Sequence, residues 1–281
     1  MLDRRNVPLT DLVSFRLAGT ANRVITVSSP DELQAALRAF PQAIVMGKGS
    51  NSLIDPDHLT LPILRLGPDF LPVRREGHTL WAHGGLSIQA LHQHLVDEGL
   101  SGLEFCAGVP ATVGGMTVMN FGCWDQDVSQ IITAVRAMDR SGNLHVLDNG
   151  ACAFGYRSSL FQSGDLIVME TAFALIPRDN IREAIQANIR MRLAKQPLRQ
   201  PTFGSTFKNP PGFFAAKLID AAGLKGYTYK NVQVSPLHAN FLVNLGNATY
   251  ANTVAVIRHI QHCVFEQSGI RLEPEVRLIH D

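Results

Sequence analysis

The sequence predicts an α+β protein. Strand-like and helix-like stretches mix along the chain without strict β–α–β alternation, and the C-terminal third differs in texture from the rest. The 281 residues are 46% hydrophobic and 17% charged, enough to bury a large core in two or three subdomains and too apolar for a disordered chain. No internal repeats or low-complexity tracts break the pattern.

The elements follow in order. Ser29-Pro30-Asp31-Glu32 predicts a helix start: Ser29 caps, Pro30 suits the first turn, and Glu32 reaches back. Leu33, Ala36, Leu37 and Phe40 continue it at helical spacing. Ala43-Ile44-Val45-Met46 reads as a buried strand running into a glycine-rich turn, Gly47 to Ser52. A second helix is expected from Ser87 to about Glu98, with Ile88, Leu91 and Leu95 inward. Asp139 to Asn143 reads as a hairpin turn, and Leu166 to Leu175 as a strand. Ile181, Ile185, Ile189 and Leu193 mark a helix with a basic end at Arg190, Arg192 and Lys195. The turn-rich Gln196 to Pro201 marks a subdomain boundary. Beyond it come a helix from about Phe214 stopping at Gly223, a strand over Asn240–Asn244, and a helix from about Asn252 stopping at Gly269.

Composition bounds the function. Lys+Arg number 25 and Asp+Glu 24, a balance without the clustered positive excess of a nucleic-acid footprint. The N-terminus lacks an apolar signal core, and no apolar run is long enough to span a bilayer, so no membrane partner is expected. Cys106, Cys123, Cys152 and Cys263 form no CxxC pair, which fits a reducing cytoplasm.

Three segments could carry chemistry. Gly47-Lys48-Gly49-Ser50-Asn51-Ser52 lets backbone approach an anion closely, yet matches neither a Rossmann nor a P-loop spacing, and on its own an ordinary turn is the better explanation. Ala107 to Gly115, followed by Asn120 and Gly122, has few bulky side chains and reads as a wrap for a flat cofactor or as a surface loop. Gly204-Ser205-Thr206-Phe207 does not fit a nucleophile elbow, since Phe207 stands at the second glycine position. His259, His262 and Cys263 share a helical face without a clear fourth ligand and read as a helix surface, so no metal is expected. His92 and His94 point to different helix faces, and Tyr227 and Tyr229 read as strand packing.

These segments resemble UDP-N-acetylenolpyruvoylglucosamine reductases. The two glycine stretches look like that family's flavin-binding segments, and the similarity continues through Phe154-Gly155-Tyr156-Arg157-Ser158-Ser159-Leu160-Phe161. It reappears in Gly204 to Pro210, Ala222-Gly223-Leu224-Lys225-Gly226, His238 to Asn244 and Leu272-Glu273-Pro274-Glu275-Val276-Arg277. The blocks keep the family's order over nearly the whole chain, and the short stretch after Pro210 resembles the compact second type.

The resemblance implies a two-subdomain FAD-binding fold like that of vanillyl-alcohol oxidase, at 1–70 and 71–195, plus a C-terminal α/β substrate domain at 196–281. It implies non-covalent FAD held by Gly47, Lys48, Gly49, Ser50, Asn51 and Ser52, and by Pro110, Ala111, Thr112, Gly114, Gly115 and Gly122. NADPH would be hydride donor and the enolpyruvyl ether of UDP-N-acetylglucosamine the acceptor, in bacterial cell-wall precursor synthesis. Arg157 would pair with the enolpyruvyl carboxylate, Glu275 would polarise or orient it, and Ser205 would deliver the proton. Tyr156, Asn209, Lys225 and His238 stand at substrate positions, Lys225 suiting the diphosphate.

The chain departs from the family at Phe121-Gly122-Cys123-Trp124-Asp125, where Ala-Gly-Ala-Tyr-Gly is usual, and at Ala18, where a glycine is usual. Asp125 is expected to fit poorly at a glycine's positive φ. That stretch keeps open a catalytically silent flavin- or nucleotide-binding relative. A different oxidase on the same fold would leave the C-terminal blocks without a reason.

Overall fold

The computed structural model describes residues 1–280. They form two compact units, each assembled from separate stretches of chain: Met1–Arg5, Arg23–Lys48 and Leu61–Arg190 in the first; Asn6–Asn22, Gly49–Thr60 and the chain from Met191 onward in the second.

The first unit is built on two sheets. One has the strand order Leu2–Pro8, Thr20–Val27, Ile63–Leu66, Ile44–Val45, with the last three strands parallel. Helix α1 (Pro30–Ala39) starts as its sequence dictates, Ser29 Oγ accepting from the Glu32 amide at 3.2 Å. Glu32 reaches back one residue further than expected, to the Ser28 amide at 2.7 Å. Leu33 and Leu37 bury against Ile25, Val27 and Leu64. The other sheet is antiparallel, in the order Leu144–Asp148, Ile132–Asp139, Leu166–Ala174, Thr79–His83, Arg74–Glu76. Asp139 closes its hairpin by accepting from the Ser141 and Asn143 amides, each at 2.9 Å.

Helix α2 (Ile88–Glu98), capped by Ser87, packs Ile88, Leu91 and Leu95 into this second core. The stretch read as a cofactor wrap or loop contains a helix instead, α3 (Val113–Val118), with Thr112 Oγ1 accepting from the Gly115 amide at 3.2 Å. Helix α4 (Ile181–Lys195) buries Ile181 and Ile185 but leaves Leu193 exposed, so its apolar stripe is shorter than the spacing predicts.

In the second unit, a three-stranded antiparallel sheet orders Thr228–Tyr229, Val232–Val234 and Leu242–Asn244. It packs against α6 (Tyr250–Ser268), which ends on left-handed Gly269 and in turn meets α5 (Ala215–Ala221). A parallel ladder joins Ser52–Ile54 to Arg277–Ile279. Phe15 and Phe203, both fully buried, meet in this core with ring centroids 4.7 Å apart and planes tilted by 46°. Among the described residues no helix is long and apolar enough to cross a membrane.

Candidate active site

In the first unit the two glycine segments meet at Gly47. A Cβ there would stand 2.6 Å from Oγ1 of Thr112, the cap of α3. The approach therefore requires glycine. Gly114 lies against the Gly84 carbonyl, 3.0 Å from where its Cβ would be. Sequence reasoning missed Gly84 and Gly85, whose Cβ atoms would meet the carbonyls of Val168 and Gly67 at 2.3 and 2.2 Å. The paired glycines at a strand end were the readable signal.

Lys48, exposed, lines a cavity of about 440 Å³ together with His92, Gln93, Pro110, Ala111 and Arg182. His92 is buried and its Nε2 lies 2.9 Å from the Leu103 carbonyl. Burial pushes its pKa down, and the carbonyl only partly opposes this. A neutral ring facing a carbonyl must carry its proton on Nε2. Two cations, Lys48 and Arg182, on this cavity fit a phosphate-bearing cofactor.

Gly122 begins a hairpin in which Gly122–Cys123 pairs with Gln126–Asp127. Its two turn residues, Trp124 and Asp125, take φ of 55° and 60°. Asp125 does take the positive φ expected of it: the turn is a two-residue left-handed type, a region Asp tolerates better than most side chains and less well than glycine. Trp124 bears the larger strain. A Cβ on Gly122 would meet the Gln126 carbonyl at 2.6 Å, so glycine is required at the strand start.

Arg157 lies in a tight turn closed by Gly155 and Ser158, whose backbones exchange hydrogen bonds of 3.0 and 3.1 Å. Its φ is 55°, a conformation costing about 1 kcal/mol or more for a side chain of this kind. The guanidinium Nη2 donates to the Gly122 carbonyl at 2.7 Å and sits over the rings of Tyr156 and Phe121 at 5.2 and 5.9 Å. Tyr156 is more than half exposed.

In the second unit, Gly49 (φ 64°) passes the Leu12 carbonyl so closely that a Cβ would stand 2.5 Å from it. Asn51 Nδ2 donates to the Glu275 carbonyl at 3.0 Å, and the Asn51 carbonyl accepts from the Arg277 amide at 3.1 Å. Ser52 opens the parallel ladder and Ser50 lies half-buried before it.

Ser205 follows Gly204, whose φ is 83°. Its neighbour Thr206 is held from both sides: the Thr206 amide donates to the Asn240 carbonyl, and the Thr206 carbonyl accepts from the Glu275 amide, each at 2.8 Å. The segments bearing Ser205 and Glu275 are thus adjacent, and both side chains are half-buried. Thr206 Oγ1 is buried with no hydrogen-bond partner.

Asn209 performs a structural task, Oδ1 accepting from the Ala215 amide at the start of α5 at 3.0 Å. Lys225, exposed, pairs with Asp220 at 3.4 Å. Burial and the nearby Lys225 charge, in that order, lower the His238 pKa. Its Nδ1 accepts from the Asn240 amide at 3.3 Å and its ring meets Phe241 edge-on at 4.7 Å. His259 approaches Cys263 Sγ at 3.6 Å and stacks on Tyr227 at 4.5 Å. No group of three metal ligands gathers among the described residues.

Residues 21–148 match the family described as FAD binding domain. Fold, glycine approach and this match together define an FAD-dependent oxidoreductase. Residues 196–279 match the C-terminal domain of UDP-N-acetylenolpyruvoylglucosamine reductase. The chain is 37% identical over 281 residues to UDP-N-acetylenolpyruvoylglucosamine reductase 2 of Symbiobacterium thermophilum, covering 98% of this chain and 91% of that protein. It is also 37% identical over 283 residues to the reductase of Chlamydia abortus, covering 98% and 94%. The crystal structure of the Thermus caldophilus reductase superposes with a TM-score of 0.85 at 32% identity, covering 99% of each chain. The chain belongs to the UDP-N-acetylenolpyruvoylglucosamine reductase family.

Proposed function

We propose that the protein reduces UDP-N-acetylglucosamine enolpyruvate to UDP-N-acetylmuramate, with NADPH as the source of hydride, in the cytoplasm. The observation that carries the reading is the adjacency of the Ser205 and Glu275 segments within the stretch that matches the family's C-terminal domain. Segments 1–70 and 71–195 would form the flavin-binding subdomains and 196–281 the substrate domain.

Gly47–Ser52, Pro110, Ala111, Thr112, Gly114, Gly115 and Gly122 would hold FAD, which when bound would supply hydride transfer from NADPH to the enolpyruvyl methylene carbon. Negative charge then builds on the adjacent carbon and its carboxylate. Arg157 carries a permanent charge in a planar fork and pairs with that carboxylate. Glu275 orients the same group, in protonated or hydrogen-bonded form, because an ionised side chain would oppose the developing charge. Ser205 gives its proton to the adjacent carbon, so hydride and proton together saturate the double bond. Lys225 meets the diphosphate; Tyr156, Asn209 and His238 line the nucleotide's path. With its pKa lowered, His238 contacts the substrate as a neutral ring.

The test is anaerobic. Protein purified yellow is reduced with NADPH, then mixed with the enolpyruvyl nucleotide, and flavin absorbance is followed. Reoxidation at a rate that rises with nucleotide supports the reading. Reduced flavin that persists sinks it in favour of a silent relative. Colourless protein that takes up no FAD sinks every flavoenzyme reading.

A further inference from the structure

Arg157 should not rest where it does without help. It occupies the third position of the Gly155–Ser158 turn at φ 55°, where glycine is favoured. The turn's carbonyls are held by two side-chain amides. Asn120 Nδ2 donates to the Gly155 carbonyl at 2.9 Å, and Gln162 Nε2 donates to the Arg157 carbonyl at 2.7 Å. Asn120 is 3% exposed, itself left-handed at φ 39°, and its Oδ1 accepts from the Ser129 amide at 3.1 Å. It follows Met119, the cap of α3, its own amide donating to the Thr117 carbonyl, and it immediately precedes Phe121 and Gly122. Those two residues supply the ring and the carbonyl that the guanidinium meets. One buried carboxamide therefore fixes the backbone of the arginine's turn and the root of the strand on which its side chain rests.

We propose that Asn120 and Gln162 are positioning residues for Arg157, holding its strained turn so that the guanidinium presents a fixed fork to the substrate carboxylate. The inference rests on the reading of Arg157 as the carboxylate's partner. Binding energy spent on ordering the turn would otherwise be subtracted from the charge-assisted pair. Neither residue touches substrate in this account; both act through the backbone of residues 155–157.

The test compares two ligands on FAD-loaded, oxidised protein by titration calorimetry: the enolpyruvyl nucleotide, and UDP-N-acetylglucosamine, which lacks the carboxylate. Arg157→Ala should weaken the first and leave the second nearly unchanged. Gln162→Ala removes one amide donor. Asn120→Asp keeps the acceptor for Ser129 and replaces the donor toward Gly155 with an oxygen. Each should weaken the enolpyruvyl nucleotide about tenfold and UDP-N-acetylglucosamine by less than about twofold, as expected for disturbing a hydrogen-bonded charge. In the Arg157→Ala background neither change should weaken binding further. Bound FAD and its spectrum report folding, and Gln162→Ala, less buried, stands in if Asn120→Asp does not fold. Equal losses for both ligands, or additive losses in the Arg157→Ala background, overturn the positioning role and reveal a purely structural one. Unchanged binding in both variants, with Arg157→Ala impaired, overturns it while sparing Arg157. No loss in Arg157→Ala removes the reading of Arg157, and the positioning role with it.

Discussion

Ser205 lies between Gly204, where the backbone turns, and Thr206, whose amide and carbonyl are tied to Asn240 and Glu275. These ties fix where the Ser205 side chain leaves the backbone, which suits its proposed role as proton donor. Reduction by NADPH requires no proton at the sugar's carbon, whereas reoxidation by the enolpyruvyl nucleotide does. Ser205→Ala should leave the first step nearly intact and slow the second by about 10²–10⁴-fold, the usual worth of positioned proton transfer. Stopped-flow absorbance separates the steps, and equal slowing of both would mean a damaged site rather than a lost donor. Asn209, proposed to meet substrate, also serves the fold. Its carboxamide oxygen caps α5, so Asn209→Ala should cost about 1 kcal/mol of stability besides any change in substrate affinity. An unchanged denaturation midpoint would mean that the cap contributes nothing.

Local chemistry made some elements legible and left others invisible. Helix α1 was readable from Ser29, Pro30 and Glu32, α2 from Ser87, and the end of α6 from Gly269, because capping is written in adjacent residues. Helix α3 was not: it is six residues long and begins Val113-Gly114-Gly115, among the poorest of helix formers, and packing holds it in place. The ladder between Ser52–Ile54 and Arg277–Ile279 joins three-residue strands more than two hundred positions apart, which no periodicity reports. The candidate site was named residue by residue from the family's blocks, but nothing in the sequence pointed from Asn120 or Gln162 to Arg157. The hairpin at 122–127 tests how an element absorbs an unusual sequence. Asp125 at φ 60° occupies the second turn position, which favours glycine. Asp125→Gly should stabilise the protein by up to about 1 kcal/mol and leave FAD retention unchanged or tighter, since on the family's path the loop would set this carboxylate near an anionic cofactor. A large loss of FAD in that variant would show Asp125 making a useful contact of its own.

Taken across the molecule, buried histidines set a direction for stability against pH. Burial is the leading cause that depresses His83, His92 and His238. Asp69 partly offsets it at His83 while His94 adds to it, Glu104 offsets it at His92, and Lys225 reinforces it at His238. An unfolded chain protonates its histidines as pH falls through about 6.5, whereas these three resist until lower pH. Between those limits the unfolded state binds more protons, so stability is full above about pH 6.5 and drains away below it. His58 runs the other way, raised by its hydrogen bond to Asp55, but the pair has one largely exposed partner and is screened by solvent. The depressed Asp139 carboxyl holds its contribution until the pH enters the carboxylate range, below this window. Three groups against one predict a urea midpoint lower at pH 5.5 than at pH 7.5, with FAD saturating at both. His92→Gln offers the same kind of N–H donor to the Leu103 carbonyl without a titrating ring. That variant should lose less stability between the two pH values than the parent protein. A drop of the same size in both would remove His92 from the account, and a midpoint that rises toward pH 5.5 would mean that the exposed pair outweighs the buried rings.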